Sequence, residues 1–171
     1  NALLALNMRA YAHIQLGELD SAYETAQHAL DVATQTDHPE RSAFLHTFAH
    51  ICFLKGNLAE AETLLAEART VGSQCSAWIG LHLDITSALL CRERGRMDEA
   101  IASLNEIAAR AEKAAFGTIE REARTALEAT YLKAGRTAEA QACKRSLRRL
   151  ADRQAQIQAQ QKIAARGMQQ R

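Results

Sequence analysis

The sequence has little proline, few aromatic residues and no long apolar run. One proline and 5% aromatics stand in 171 residues. No stretch alternates apolar and polar residues over a strand length, and no run approaches the ~20 apolar residues of a membrane helix. The sequence also has no secretory signal, no glycine-rich phosphate loop and no nucleophile on a strand-to-helix turn. We therefore predict an all-α protein that is not an enzyme.

The sequence has four cysteines, and none of them is spaced as in a metal-binding or redox motif. None of the four forms a C-x-x-C pair, and three lie inside apolar helical patterns, where a thiol behaves as a small hydrophobic group. They are Cys52, Cys75, Cys91 and Cys143. This usage indicates a reducing compartment, so we predict a cytoplasmic location with no membrane association. Because the chain starts at Asn1 and not at Met, we expect it to be a piece of a longer protein.

Charge is divided unevenly along the chain. Residues 1–135 carry 12 Lys and Arg against 18 Asp and Glu, whereas residues 136–171 carry 9 against 2. The basic end lacks the interleaved aromatic residues on which nucleic-acid bases stack. We predict no nucleic-acid partner.

Four glycines reveal an internal repeat. They are 39, 39 and 40 residues apart, and each is followed five residues later by alanine. The glycines are Gly17, Gly56, Gly95 and Gly135, and the alanines are Ala22, Ala61, Ala100 and Ala140. We predict that each glycine ends one helix in the left-handed conformation and that Asp, Asn or Thr caps the next, with Asn57 and Glu60 forming a capping box.

The repeat resembles the tetratricopeptide pattern over essentially the whole chain. A small residue stands seven positions before the glycine in three copies, and a small or apolar residue stands 12 positions after it in all four. These are Ala10, Ala49 and Ala88, then Ala29, Ala68, Ile107 and Leu147. Glu128 breaks the first pattern, and the period exceeds the usual ~34 residues. The resemblance implies a right-handed superhelical solenoid of four helical hairpins whose first helices line a concave groove.

We predict about eight helices, with Pro39 in the first turn of the third. The expected ranges are 2–16, 19–35, 39–55, 58–71, 76–94, 97–115, 118–134 and 137–165. Residues 1–150 would form four repeats, at about 2–36, 39–73, 76–115 and 118–150. Residues 151–171 would extend the last helix.

The last helix carries a coiled-coil-like seam, with steps of four and three residues. Its positions are Cys143, Leu147, Leu150, Gln154, Ile157, Gln161, Ala164 and Met168. Two readings stay open. The helix either caps the array, with its end in solvent, or it is a signalling helix that leads into an output domain or pairs with a second copy.

The tetratricopeptide register predicts which side chains face the groove and bind a protein or peptide. The candidate site residues are Asn7, Tyr11, Gln15, His46, His50, His82, Arg92 and Glu122, with Ile14, Phe53, Ile85, Leu89, Thr125 and Lys133 beside them. For Phe53 and Leu89, packing between repeats is the favoured alternative, and core packing is expected for Trp78. Asn7 and Tyr11 stand where the chaperone-binding subset needs Lys and Asn, so a chaperone tail is not expected.

Three histidines, His46, His50 and His82, have a spacing that could suit a metal site. His46 and His50 share a helix face, and His82 in the next repeat could join them. No carboxylate accompanies them at matching spacing. We therefore predict no metal and no cofactor, and keep a small-molecule pocket at these histidines as an alternative.

The long period resembles a variant found in bacterial signalling proteins. There, such arrays sit beside a GGDEF diguanylate cyclase domain or a helix-turn-helix activator domain. The resemblance implies a non-catalytic sensor or regulatory region, and a stand-alone assembly scaffold is the alternative.

Overall fold

The computed structural model describes residues 2–72 and 76–169, with side chains to Lys162. Within these ranges the chain forms eight helices and no strand, which confirms the all-α prediction. The helices are α1 Ala2–Leu16, α2 Leu19–Gln35, α3 Arg41–Leu54, α4 Leu58–Val71, α5 Ala77–Glu93, α6 Met97–Lys113, α7 Gly117–Lys133 and α8 Thr137–Gln169. Cys75 lies outside the described residues. The side chains of Ala164 and Met168, two positions of the predicted seam, lie outside them too.

Two compact units divide the chain, Asn1–Ala100 and Ile101–Arg171. The first holds α1 to α5 and the start of α6, and its core includes Phe44, Leu45 and Ile51. The second holds the rest of α6 with α7 and α8, and it buries Leu104 and Ile119.

Glycine ends the first helix of every hairpin, as predicted. Gly17, Gly56, Gly95 and Gly135 have φ between 73° and 83°. In the first hairpin the Gly17 N–H donates to the Ile14 carbonyl at 3.0 Å, and the Glu18 N–H donates to the His13 carbonyl at 2.9 Å. The other three glycines make the same pair of bonds. This is the Schellman arrangement, in which a left-handed residue satisfies carbonyls that a helix end leaves open.

Two links between hairpins use the same turn without glycine. Asp37 and Ala115 have φ of 45° and 58°. The His38 N–H bonds the Ala33 carbonyl at 2.8 Å, and the Phe116 N–H bonds the Ala111 carbonyl at 2.9 Å. A side chain at positive φ is strained, most of all at Ala115, which has no polar group to compensate.

The predicted capping of the second helices is wrong for α2 and α4, since neither has a side-chain cap. The Asn57 side chain meets Glu60 only through its amide nitrogen, at 3.5 Å. Glu60 instead accepts a hydrogen bond from the Tyr23 hydroxyl at 3.3 Å, so a long-range partner replaces the local capping box. Pro39 lies in a turn before α3, which begins only at Arg41.

Small residues let the paired helices approach closely. The four repeat alanines, Ala22, Ala61, Ala100 and Ala140, are 0 to 2% exposed. Helix α8 is continuous to Gln169 and leaves the core after Leu150, so that Ile157 is 44% exposed. No helix in the described ranges is apolar enough over a sufficient length to cross a membrane.

Candidate functional site in the first unit

Three first helices of hairpins, α1, α3 and α5, bring a set of polar and aromatic side chains together. The α1·α3 and α3·α5 pairs are both in contact. Tyr11 comes from α1, His46 and His50 from α3, and His82 from α5. Four of the predicted site residues therefore form one cluster in the first unit, centred on His46.

His46 is buried and bonded through both ring nitrogens. The Tyr11 hydroxyl lies 3.4 Å from Nδ1, and the Thr86 hydroxyl oxygen lies 3.2 Å from Nε2. Thr86 donates its own proton to the His82 carbonyl at 3.3 Å, so it accepts from His46. This pattern assigns the proton to Nε2, which leaves Nδ1 to accept from Tyr11.

Burial lowers the pKa of His46 to about 3, and the neighbouring His50 and His82 lower it further. The imidazole is therefore neutral near pH 7. A neutral ring with one donor and one acceptor is what the Tyr11 and Thr86 hydroxyls require. Protonation would place a charge in a dry site and break the bond from Tyr11.

Rings surround the buried imidazole. The His82 ring centroid lies 5.5 Å from that of His46, and the His50 ring stacks at 6.3 Å. Trp78 lies edge-on to His82 at 4.2 Å and is 44% exposed, so the expectation of core packing for Trp78 is wrong. His50 and His82 are half-buried. Together with the exposed Trp78 they form a rim of rings around the buried His46.

Asn7 lies one turn before Tyr11 on α1. Its side-chain oxygen is buried, and it has no hydrogen-bond partner among the described residues. Leaving a buried carbonyl oxygen unpaired costs about 1–3 kcal/mol. A ligand N–H that reached this oxygen after a rotation of the amide would relieve that cost.

The other predicted residues lie apart from the cluster. Gln15 is exposed, and Arg92 pairs with the adjacent Glu93 at 2.9 Å. Ile85 is 1% exposed, so its assignment to the groove is wrong. Packing explains three further positions: Leu89 is buried, and Ile14 and Phe53 pack against the core of the first unit. On α7, in the second unit, Glu122 is half-buried, and Thr125 and Lys133 are exposed.

Thr86 and Trp78 belong to the cluster and are absent from the predicted site. Both lie four residues from His82, one on each side, so the three share a face of α5. That spacing was visible in the sequence. The same spacing relates His46 to His50 on α3.

The histidines do not form a metal site in this structure. No group of three His, Cys, Asp or Glu side chains in the described part of the chain is placed to hold an ion. His46 has committed both nitrogens to hydroxyl groups. A metal would have to displace Tyr11 or Thr86.

Residues 1–72 match the family model described as "Tetratricopeptide repeat". This segment carries tetratricopeptide repeats. The matched segment includes the first two hairpins, with Tyr11, His46 and His50. No curated protein sequence matches the chain.

Solved structures support the tetratricopeptide fold along most of the chain. A protein from Podosopora anserina described as a kinesin light chain with nearly identical repeats is 20% identical, with a TM-score of 0.59 over 90% of this chain and 76% of its own. BtubC from P. vanneervenii is 17% identical, with a TM-score of 0.63 over 90% of this chain. A tetratricopeptide repeat protein from Parabacteroides merdae is 19% identical, with a TM-score of 0.62 over 85% of this chain. This chain spans only 64% of BtubC and 50% of the Parabacteroides protein. At these identities the likeness is one of fold.

Proposed function

We propose that this chain is a non-catalytic module that binds a peptide segment of another protein across α1, α3 and α5. The observation that carries the proposal is the rim of rings from Tyr11, His50, His82 and Trp78 around the buried His46. The rim joins three consecutive hairpins, so an extended ligand crossing it would contact each of them. Tetratricopeptide arrays commonly present such surfaces to protein partners.

The chemistry of the rim suits a peptide backbone with apolar side chains. Trp78 offers a large face with a single N–H donor, and such amphipathic rings dominate binding energies at protein interfaces. The buried side-chain oxygen of Asn7 provides an acceptor for a peptide N–H, and the rings of His50 and His82 flank the same surface. The buried bonds of His46 hold the three helices before the ligand arrives, which reduces the entropy lost on binding.

A comparison of variants tests this proposal. The wild-type chain, His50→Ala, Trp78→Ala and His28→Ala would each be used to capture partners from a bacterial lysate, with captured proteins identified by mass spectrometry. His28 is exposed on α2 and serves as the matched control. A protein retained by wild type and His28→Ala but lost by both other variants, all with native circular dichroism, is the expected result.

Binding of the identified partner must then be measured with purified proteins. Removing Trp78 should weaken it by at least tenfold, which is a typical loss for a central aromatic residue. Equal affinity of wild type and Trp78→Ala would refute the assignment of the site.

We further propose that the module is a cytoplasmic sensor or regulatory region of a bacterial signalling protein, such as a diguanylate cyclase or a helix-turn-helix activator. The 39–40 residue spacing of the glycines supports this context, and so does the 33-residue α8, which extends past its hairpin. A stand-alone scaffold is the alternative. Sequencing the parent gene downstream of Arg171 distinguishes them, because a scaffold would carry no cyclase or DNA-binding domain.

Helix α8 would either lead into that output domain or pair with a second copy of the chain. Its exposed Ile157 supports a contact of one of these kinds. Light scattering on the full chain and on a chain ending at residue 151 separates them. A monomer mass for both would exclude pairing through α8.

A further inference from the structure

The second unit contains a cavity of about 660 Å³ between the start of α7 and the extended part of α8. It exists because α8 has 33 residues and α7 has 17. At the hairpin turn Arg136 lies 5.1 Å from the Tyr131 ring centroid. At the other end, a Cβ on Gly117 would lie 2.8 Å from Nε2 of Gln154. The helices are thus antiparallel, and α8 continues beyond Gly117. The volume is typical of small-molecule sites.

One part of the cavity lining is apolar. Phe116 at the start of α7 is half-buried, and Leu150 and Ile157 on α8 are 8% and 44% exposed. Ile157 is among the most exposed large apolar side chains of the second unit. Covering it would be favourable, because apolar surface would be removed from water.

The cations that line the cavity are not neutralised by its carboxylates. Arg121 and Arg153 have no ion-pair partner within the described side chains. Glu112 and Glu120 also line the cavity, but both already pair with Arg124, at 3.2 and 2.9 Å. The two lining arginines are therefore available to an anion.

The start of α7 adds hydrogen-bond donors to the same cavity. Phe116 occupies the N-cap position without a side-chain cap. The first amide of this helix with a helical partner is that of Glu120, which donates to the Phe116 carbonyl at 3.0 Å. The amides of Gly117 and Thr118, both in the lining, precede it and point out of the helix end. The helix dipole makes this end favourable for negative charge.

We propose that this cavity binds a small organic anion with an apolar body. Arg121, Arg153 and the first amides of α7 hold the anionic group, and Phe116 with Ile157 covers the apolar body. A carboxylate and a phosphate monoester share this chemistry. The site lies in the second unit and does not depend on peptide binding by the first.

Three probes of equal chain length test the proposal on the full chain: octanoate, octyl phosphate and octanol. Binding is followed by amide chemical shifts in NMR. Saturable shifts at Gly117 and Thr118 with at least one anion, and binding of octanol at least tenfold weaker, are expected. The anion that binds with the higher affinity identifies the preferred headgroup. Absence of shifts with both anions, or equal affinity for octanol, would overturn the proposal.

Two variants on one helix provide the matched comparison. Arg153→Gln should weaken anion binding about tenfold, because it removes a charge-assisted contact. Arg149→Gln removes an exposed cation of α8 that does not line the cavity, and it should leave the affinity unchanged. Equal weakening by both would show a general charge effect and would contradict a built site. Ile157→Ala should weaken octanoate and octanol alike.

Discussion

Lowering the pH should destabilise the first unit through His46. The pKa of its imidazole falls to about 3 in the fold, against about 6.5 in an unfolded chain. Between these two values the unfolded chain binds a proton that the folded chain excludes. The contribution of His46 to the free energy of unfolding is therefore fully present above pH 6.5 and is lost as the pH falls toward 3. The slope is about 1.4 kcal/mol per pH unit, which gives about 2 kcal/mol between pH 7 and pH 5.

Urea unfolding monitored by tryptophan fluorescence measures this loss in the relevant unit. Trp78 is the only tryptophan, and its ring contacts His82 beside His46. Hydrogen bonds from Lys55 and Arg136 lower the pKa values of the Asp20 and Glu139 carboxyl groups, which moves both away from this pH window.

Two variants isolate His46 from the other histidines. His46→Gln keeps a side chain that can donate and accept, but the amide does not fill the space of the ring, so the variant should be less stable at pH 7. Because an amide does not titrate in this range, the variant should lose less stability on acidification. His28→Gln, at an exposed position of α2, should follow the wild-type curve. If His46→Gln lost the same 2 kcal/mol as wild type, the acid sensitivity would belong to other groups, and the reasoning would be refuted.

Three further predictions concern stability and are measured by urea unfolding with circular dichroism. Ala115→Gly should stabilise the chain by about 1 kcal/mol, because it relieves the strain of a side chain at a φ of 58°. Gly135→Ala should destabilise it by about 1 kcal/mol, because it places a side chain at positive φ. Changes of the opposite sign would contradict the turn assignment. Tyr11→Phe should cost about 1 kcal/mol, since it leaves Nδ1 of the buried imidazole unpaired; no loss would mean that the 3.4 Å contact is not a hydrogen bond. Arg124→Leu should cost about 3–5 kcal/mol at pH 7, because Glu120 is 5% exposed and would lose its cation, and adding Glu120→Leu should recover part of that loss.

The turns were predictable from sequence wherever their chemistry is local. Glycine has a low cost at positive φ, so four glycines at a constant period mark four helix ends. Asp37 and Ala115 make the same turn without that signal. Only the hydrogen bonds of the folded chain reveal them, because nothing in an alanine indicates a left-handed conformation.

The capping box at Asn57 failed as a prediction because other groups bond both of its partners. Asn57 and Glu60 have the spacing of a capping box. The Asn57 N–H donates to the Cys52 carbonyl at 2.8 Å, within the glycine turn. Tyr23, 37 residues before Glu60, donates to the Glu60 carboxylate. Local motifs state what a side chain is able to bond, whereas the packing of α2 against its neighbours decides which bond it makes.

The sequence predicted which helix faces carry the candidate site, but it did not predict which side chains on those faces are buried. The register identifies the helix face that carries His46, His50 and His82, and the structure brings these three side chains together. The spacing of residues on a helix does not distinguish a side chain that is exposed on that face from one that is buried between adjacent first helices. His46 on α3 is 6% exposed because α3 lies between α1 and α5 and has neighbours on both sides. Ile85 on α5, which packs against α3, is 1% exposed.

The buried His46 links packing to recognition. Its bonds to Tyr11 and Thr86 join α1, α3 and α5, and the rings of the proposed site lie on those same helices. A ligand that binds only the folded rim stabilises the fold by RT ln(1 + [L]/Kd). Acid opposes the same state by protonating His46 in the unfolded chain. Acid should therefore lower the free energy of unfolding through His46 without changing, through that group, the affinity of the folded rim for its ligand. The reason is that the proton binds His46 only in the unfolded chain.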